Sequence, residues 1–152
     1  MRFPKAWSRS DDGYGALVKA LVIGCGRLGS AVAKHLASED WAVTCLDHDE
    51  ASLARLEPWR GAFVVGHALD LGVLAEAQIE DADAVVVATG GDNTNVVLGQ
   101  VIQRRWSPAT LVVRVKDPAR AAFFAARGLM TVSPTQASID ATLTELHRQV
   151  RG

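Results

Sequence analysis

Short apolar runs alternate with amphipathic stretches along most of this chain. Leu21-Val22-Ile23 is too short for a helix and reads as a buried strand, and Leu28, Val32 and Leu36 follow at a spacing of four, the period of a helix face. Trp41 to Leu46 reads as a second strand ending in Asp47. Asp49 then caps a short helix carrying Leu53 and Leu56, which Pro58 stops. Ala62 to Val65 is a third strand, and Asp70 caps the helix after it. Ala84 to Ala88 is a fourth, whose unbroken apolar run suits a parallel strand covered on both faces. A longer helix is expected from about Asn95 to Arg105, then a strand from Leu111 to Val115. Asp117-Pro118 opens the next helix, with the acid as cap and proline in the first turn; that helix ends at Gly128. Met130 to Val132 is a short sixth strand. The last helix carries Ile139, Leu143, Leu146 and Val150 along one stripe, which could cover its own sheet or a partner's.

Strands that alternate with helices form parallel sheets through right-handed crossovers. The expected fold is therefore α/β, a Rossmann-like, doubly wound, six-stranded parallel sheet with helices on both faces and strand order 3-2-1-4-5-6. Residues 1–17, broken by Pro4, Gly13 and Gly15, read as an irregular extension, and residues 18–152 as the one domain.

Composition narrows the function classes. The 152 residues suffice for one full core, and a net charge of −1 gives no basic footprint for nucleic acid. The longest apolar runs fall far short of the ~20 residues of a membrane helix, and the N-terminus has no apolar stretch like that of a signal peptide. A cytoplasmic location follows as the expectation, with membrane contact only through a partner. Cys25 and Cys45 lack CxxC spacing and read as small core residues; the four histidines are scattered, so no metal site is expected.

The chemistry concentrates at Gly24-Cys25-Gly26-Arg27-Leu28-Gly29, a GxGxxG turn that follows a strand and opens a helix. Gly24 permits the tight turn. Gly26 lets backbone approach a pyrophosphate, and Gly29 lets the helix pack on the strand. The N–H groups at the start of the helix, where Arg27 and Leu28 stand, offer donors and partial positive charge, and Arg27 could clamp a phosphate. Asp47 closes the second strand, where an acid accepts hydrogen bonds from an adenosine ribose and repels a 2′-phosphate. His48 and Asp49 border it, and Asp49 is close enough to share the role. His67, followed by Ala68, could meet the base or stand as an exposed loop residue. Thr89 and Gly90 lie after the fourth strand, at the point where strand order reverses. An adenine nucleotide, NAD(H) or ATP/ADP, is the implied ligand.

The stretches "GCGRLGS", "LDHDEASLARL", "VVGHALDLGVLAEAQIEDADAVVVATGGDNTN" and "RVKDPARAAFFAARGLMTVSPT" together resemble the RCK N-terminal domain, also called KTN or TrkA-N. Arg27, Asp47, Asp92, Asn95, Arg114, Asp117, Gly128 and Ser133-Pro134 stand in the order and spacing of that family. The resemblance implies a cytoplasmic nucleotide-binding regulator of potassium channels and transporters, peripheral to the inner membrane through its partner. It implies NAD(H) or ATP/ADP held at Gly24, Gly26 and Gly29, with Arg27 on phosphate and Asp47 on ribose. It also implies copies paired through late helices into dimers or rings, and ion flow gated by ligand exchange. The chain departs from the family at His67, where an acid is usual, and at Met130-Thr131, where Ala-Asp is usual. The family's frequent second, small ligand-binding domain lies outside the resemblance, as does any pore, so the chain is expected to be a minimal subunit or a fragment.

The alternative is a small NAD-dependent oxidoreductase. Its short-chain form needs Tyr-x-x-x-Lys, but the only tyrosine, Tyr14, has Val18 four positions on, and the dinucleotide fold uses up the chain. A nucleotide site without catalytic side chains is a binding module, so no catalytic residue is expected.

Overall fold

The computed structural model describes residues 17–151. The expected irregular extension therefore lies outside the described residues except for Leu17, and so does Tyr14. The elements are β1 (Lys19–Ile23), α1 (Arg27–Ser38), β2 (Ala42–Asp47), β3 (Ala62–Val65), α2 (Leu71–Glu76), β4 (Ala84–Val87), α3 (Asp92–Arg105), β5 (Thr110–Arg114), α4 (Pro118–Ala125), β6 (Thr131–Val132) and α5 (Pro134–Arg151), with 3₁₀ turns at Glu50–Arg55 and Ile79–Asp81. All six strands are parallel, in the order β3-β2-β1-β4-β5-β6.

The expected caps form. Asp49 accepts from the Ala51 N–H, Asp70 from those of Gly72 and Val73, and Asp117 from that of Arg120, with Pro118 in the first turn of α4. Apart from β3, the strands start or end one or two residues away from the sequence reading, and two helix boundaries differ by three residues. Helix α3 begins at Asp92, three residues before Asn95, and α4 ends at Ala125, leaving Gly128 at φ +90° in the turn that follows.

Alternate residues of each strand feed two cores. Leu21 and Ile23 of β1 join Leu46, Val85, Val87 and Val113 under Leu74 of α2 and Val96, Leu98 and Ile102 of α3. Ala20 and Val22 point the other way, to Val43, Cys45, Leu56 and Ala33 of α1. Both cysteines are buried there. The neighbouring Cys25 thiol, and then burial, push the Cys45 thiol far above its usual range, so Cys45 serves as a packing group.

The cover on the two faces is unequal. Val85 and Val87 are fully buried, whereas Val86, paired in register with Val112, stays half-buried on the side of α1. The expectation of a β4 covered on both faces is thus met on one. The stripe of α5 does not supply the missing cover: Ile139, Leu143, Leu146 and Val150 are 43%, 47%, 54% and 84% exposed.

Candidate functional site

Register places the site. Ile23 of β1 is level with Leu46 of β2 and Val87 of β4, and Val87 with Val113 of β5. The next residues, Asp47, Gly24, Ala88 and Arg114, therefore stand in a row across the carboxyl ends of β2, β1, β4 and β5. All four line one cleft of about 550 Å3, a size that suits a nucleotide. It opens at the switch point of the sheet, where open α/β folds bind ligands.

The three motif glycines do different work. Gly24 has φ +90°, and a Cβ there would lie 2.5 Å from the Ala88 carbonyl oxygen and 2.6 Å from the Thr89 nitrogen. A Cβ on Gly29 would lie 1.8 Å from the Gly24 carbonyl oxygen, so this glycine seats α1 directly on the turn. Gly26 is exposed to the cleft, and a Cβ there would meet nothing within 4 Å. Among the described residues its small size answers to no contact, unlike that of Gly24 and Gly29. Gly26 is also the N-cap of α1, without a side-chain cap bond and with no acid in the first turn. The first intrahelical bond in the ladder runs from Ser30 N–H to Gly26 carbonyl at 3.0 Å, so the N–H groups ahead of Ser30 lack helical acceptors. A phosphate is the natural acceptor for such a terminus.

Asp47 is tied to this turn. Its Oδ2 accepts from the Cys25 N–H at 2.7 Å and its Oδ1 from the Asp49 N–H at 2.9 Å. The carboxylate fixes the glycine turn to the end of β2 while keeping lone pairs toward the cleft. His48 Nδ1 stands 3.4 Å from Asp47 Oδ1, and its ring stacks on that of His67 at 5.6 Å between centroids and 16° between planes. The two imidazoles form one wall of the cleft.

On the far side, Asn95 is fully buried at the first turn of α3. Its Oδ1 accepts from the N–H and hydroxyl of Thr89. Its Nδ2 donates to the carbonyls of Thr89 and Arg114, both at 3.0 Å. Asp92 accepts from the N–H groups of Lys116 (2.8 Å) and Asp117 (3.1 Å), and Lys116 Nζ donates to the Gly90 carbonyl at 2.8 Å. Burial raises the proton affinity of Asp92, but those two N–H groups and the charges of Lys116 and Arg120 outweigh it and hold the carboxyl below its ordinary range. The loop between β4 and α3 is thereby pinned to the ends of β5 and α4.

Of the residues read from the sequence, Gly24, Gly26, Asp47, His48, Asp49, His67, Ala68, Thr89 and Gly90 line the cleft. Three do not. Gly29 lies buried beneath the turn, Leu28 is half-buried, and Arg27 is exposed at the first residue of α1, outside the cleft wall. Asp49 uses Oδ1 to cap its own 3₁₀ turn. Sequence reading missed Ser52, Arg55, Thr94 and Arg114, which also line the cleft. Arg114 could have been found by aligning strand ends, since it closes β5 as Asp47 closes β2.

The TrkA-N domain family model matches residues 20–134. The Trk system potassium uptake protein TrkA of Streptomyces coelicolor is 33% identical over 127 residues, covering 83% of this chain and 57% of that protein. The chain thus spans little more than half the length of that curated relative. Among solved structures, GsuK bound to ADP superposes with a TM-score of 0.73 at 24% identity, covering 87% of this chain and 34% of that one. The GsuK channel bound to NAD superposes at 0.61 with 19% identity, covering 81% and 22%. These likenesses show the fold, and the family match together with the TrkA relative shows the lineage: the chain belongs to the TrkA-N domain family.

Proposed function

We propose that this chain is an adenine-nucleotide-binding regulatory domain that controls potassium movement through a membrane channel or transporter subunit. The observation that carries the reading is Gly26, a glycine with open space around its missing Cβ, at an uncapped helix N-terminus facing the cleft. In this reading the N–H groups at the start of α1 hold the phosphates, and Arg27, exposed at the first residue of α1, reaches over them. Asp47 accepts from the ribose, and His48, His67 and Ala68 border the base. The TrkA relative and the ADP and NAD complexes of GsuK support the choice of adenine nucleotides and of potassium transport.

The domain acts by binding, not by catalysis. Its ligand shifts an equilibrium between conformations only if it binds them unequally. The segment expected to respond runs from Thr89 to Asn95, the loop after β4 and the first turn of α3, which lies where ligands that share adenosine diverge. The protein works beside the membrane through its partner; among the described residues no helix is long and apolar enough to cross one. Two copies pair through the apolar stripe of α5, which its own sheet leaves exposed. Light scattering is expected to show at least a dimer. A monomer at high concentration would remove α5 from the pairing role.

Calorimetry tests the nucleotide reading. The parent is expected to bind ATP, ADP or NAD, to bind NADP poorly, and to leave NADH unconsumed when offered carbonyl compounds. Asp47→Ala should weaken binding by about 1–3 kcal/mol, or roughly 5- to 150-fold, as the ribose loses its acceptor. Because Asp47 also holds Cys25, Asp47→Asn serves as the control that keeps one acceptor oxygen. Equal affinity for NAD and NADP would remove Asp47 from the ribose.

A further inference from the structure

A concavity opens at the start of β3, an edge strand, and shares no lining residue with the nucleotide cleft. It holds about 370 Å3, within the range of small-molecule sites, and is lined by Leu53, Glu57, Pro58, Trp59, Gly61 and Phe63. The local sequence builds it. Pro58 follows the 3₁₀ turn, and the chain enters β3 through Gly61. The Trp59 indole folds back over that glycine, and its Nε1 donates to the Ala62 carbonyl at 3.3 Å. A Cβ on Gly61 would lie 2.3 Å from Trp59 Cζ2 and 2.5 Å from the Val43 carbonyl oxygen. Only glycine lets the ring lie against the sheet edge in this way, so the ring is in position before any ligand arrives. Trp59 and Phe63 both pack on the core beneath α1 and are both half-buried, so each keeps surface toward the concavity.

Two aromatic side chains and one carboxylate thus meet in one place. Among the described residues the cation–aromatic contacts are Arg105 with Trp106 and Arg127 with Phe123, and the ion pairs are His35–Glu39, His48–Asp47 and Arg148–Glu145. Trp59, Phe63 and Glu57 take part in none of them. The face of an aromatic ring is negative, most strongly for indole, and attracts a cation placed over it. An anion would be repelled by the rings and by Glu57 alike. A bare ammonium is compact and strongly hydrated. An alkylated one loses less water on entry and offers apolar surface to Leu53 and Pro58. We propose that this concavity binds a small alkylated ammonium ion, with its charge over the Trp59 indole, its alkyl groups among Phe63, Leu53 and Pro58, and Glu57 at the rim. Glu57 is exposed, so its share of the attraction is the smaller one.

The test is calorimetry on the full chain at constant ionic strength. It compares choline with its neutral tert-butyl analogue, which has the same shape without the charge. Choline should bind with a dissociation constant of roughly 1 mM or tighter. It should bind at least about fivefold tighter than the analogue, the scale of a cation–π contact at a partly desolvated site. Hydrogen exchange should slow over residues 57–63 and stay unchanged over residues 89–95. Trp59→Leu keeps an apolar side chain without the indole, so it should bring the two affinities within about twofold of each other. Glu57→Gln should weaken choline about two- to threefold and leave the analogue unchanged. Circular dichroism shows whether each variant is folded. If Trp59→Leu does not fold, Glu57→Gln, a change to an exposed side chain, decides the matter. No choline binding, equal binding of both compounds by the parent, or protection that appears only over residues 89–95 would overturn the proposal. So would a preference for choline that survives in folded Trp59→Leu, or choline affinity unchanged in Glu57→Gln.

Discussion

Gly26→Val is expected to weaken ATP, ADP and NAD binding at least about 100-fold while the melting temperature stays within ~2 °C of the parent. The backbone at Gly26, φ −74° and ψ −157°, is extended and open to any residue, and a Cβ there meets no atom of the described residues within 4 Å. The fold therefore has no reason to object. The branched side chain instead fills the space over the helix N-terminus, where backbone would approach the phosphates. Gly29→Ala should behave in the opposite way. Its Cβ would lie 1.8 Å from the Gly24 carbonyl oxygen, which α1 can escape only by lifting off the turn. Overpacking of this kind costs about 1–3 kcal/mol or more, several degrees of melting temperature for a domain this size. Calorimetry and thermal scans on the two variants separate a glycine kept for the ligand from one kept for packing. Unchanged affinity in a folded Gly26→Val protein would move the ligand away from this turn.

This division of labour was only partly legible in the sequence. Strand β3 matches its expected bounds, and the strand order follows the expected one, because apolar runs between capping acids leave few ways to pair. Caps at Asp49, Asp70 and Asp117 are local and were readable from residue type alone. The start of α3 was not. Asp92-Asn93-Thr94 looks like a polar loop, yet Asp92 spends its carboxylate on the backbone of Lys116 and Asp117, distant in sequence. Asp47 was legible as an acid at a strand end, but not as the brace of Cys25. Arg114 stood in the family's order and spacing, but its place in the cleft was legible only by aligning the strand ends, because it depends on the register of β5 against β4. The stripe of α5 was visible as apolar, and only the packing shows that its own sheet does not cover it.

Asn95→Ala is expected to destabilise the protein by about 3 kcal/mol, which lowers the melting temperature by about 6–12 °C. Asn95 is fully buried, and its amide joins the ends of β4, α3 and β5. Removing it strips the Thr89 N–H of its acceptor and the Arg114 carbonyl of a donor, and each buried group left without a partner costs about 1–3 kcal/mol. The Thr89 carbonyl keeps Arg114 Nη1, which limits the loss. Asn95→Asp should not rescue it. The carboxylate restores an acceptor for Thr89 but sets a second oxygen against the carbonyls of Thr89 and Arg114, where the amide had donated. Asn93→Ala, two residues away on the exposed side of the same turn, removes only the contact with Arg120 and should stay within about 0.5 kcal/mol. Thermal unfolding of the three variants checks the order, and a shift under ~2 °C for Asn95→Ala would show that the brace is dispensable. Nucleotide affinity should fall with it, because Thr89, Gly90 and Gly91 form one wall of the cleft and Asn95 holds that wall to the sheet. A saturating nucleotide should then recover part of the lost melting temperature, since a ligand that binds only the folded state stabilises it by mass action.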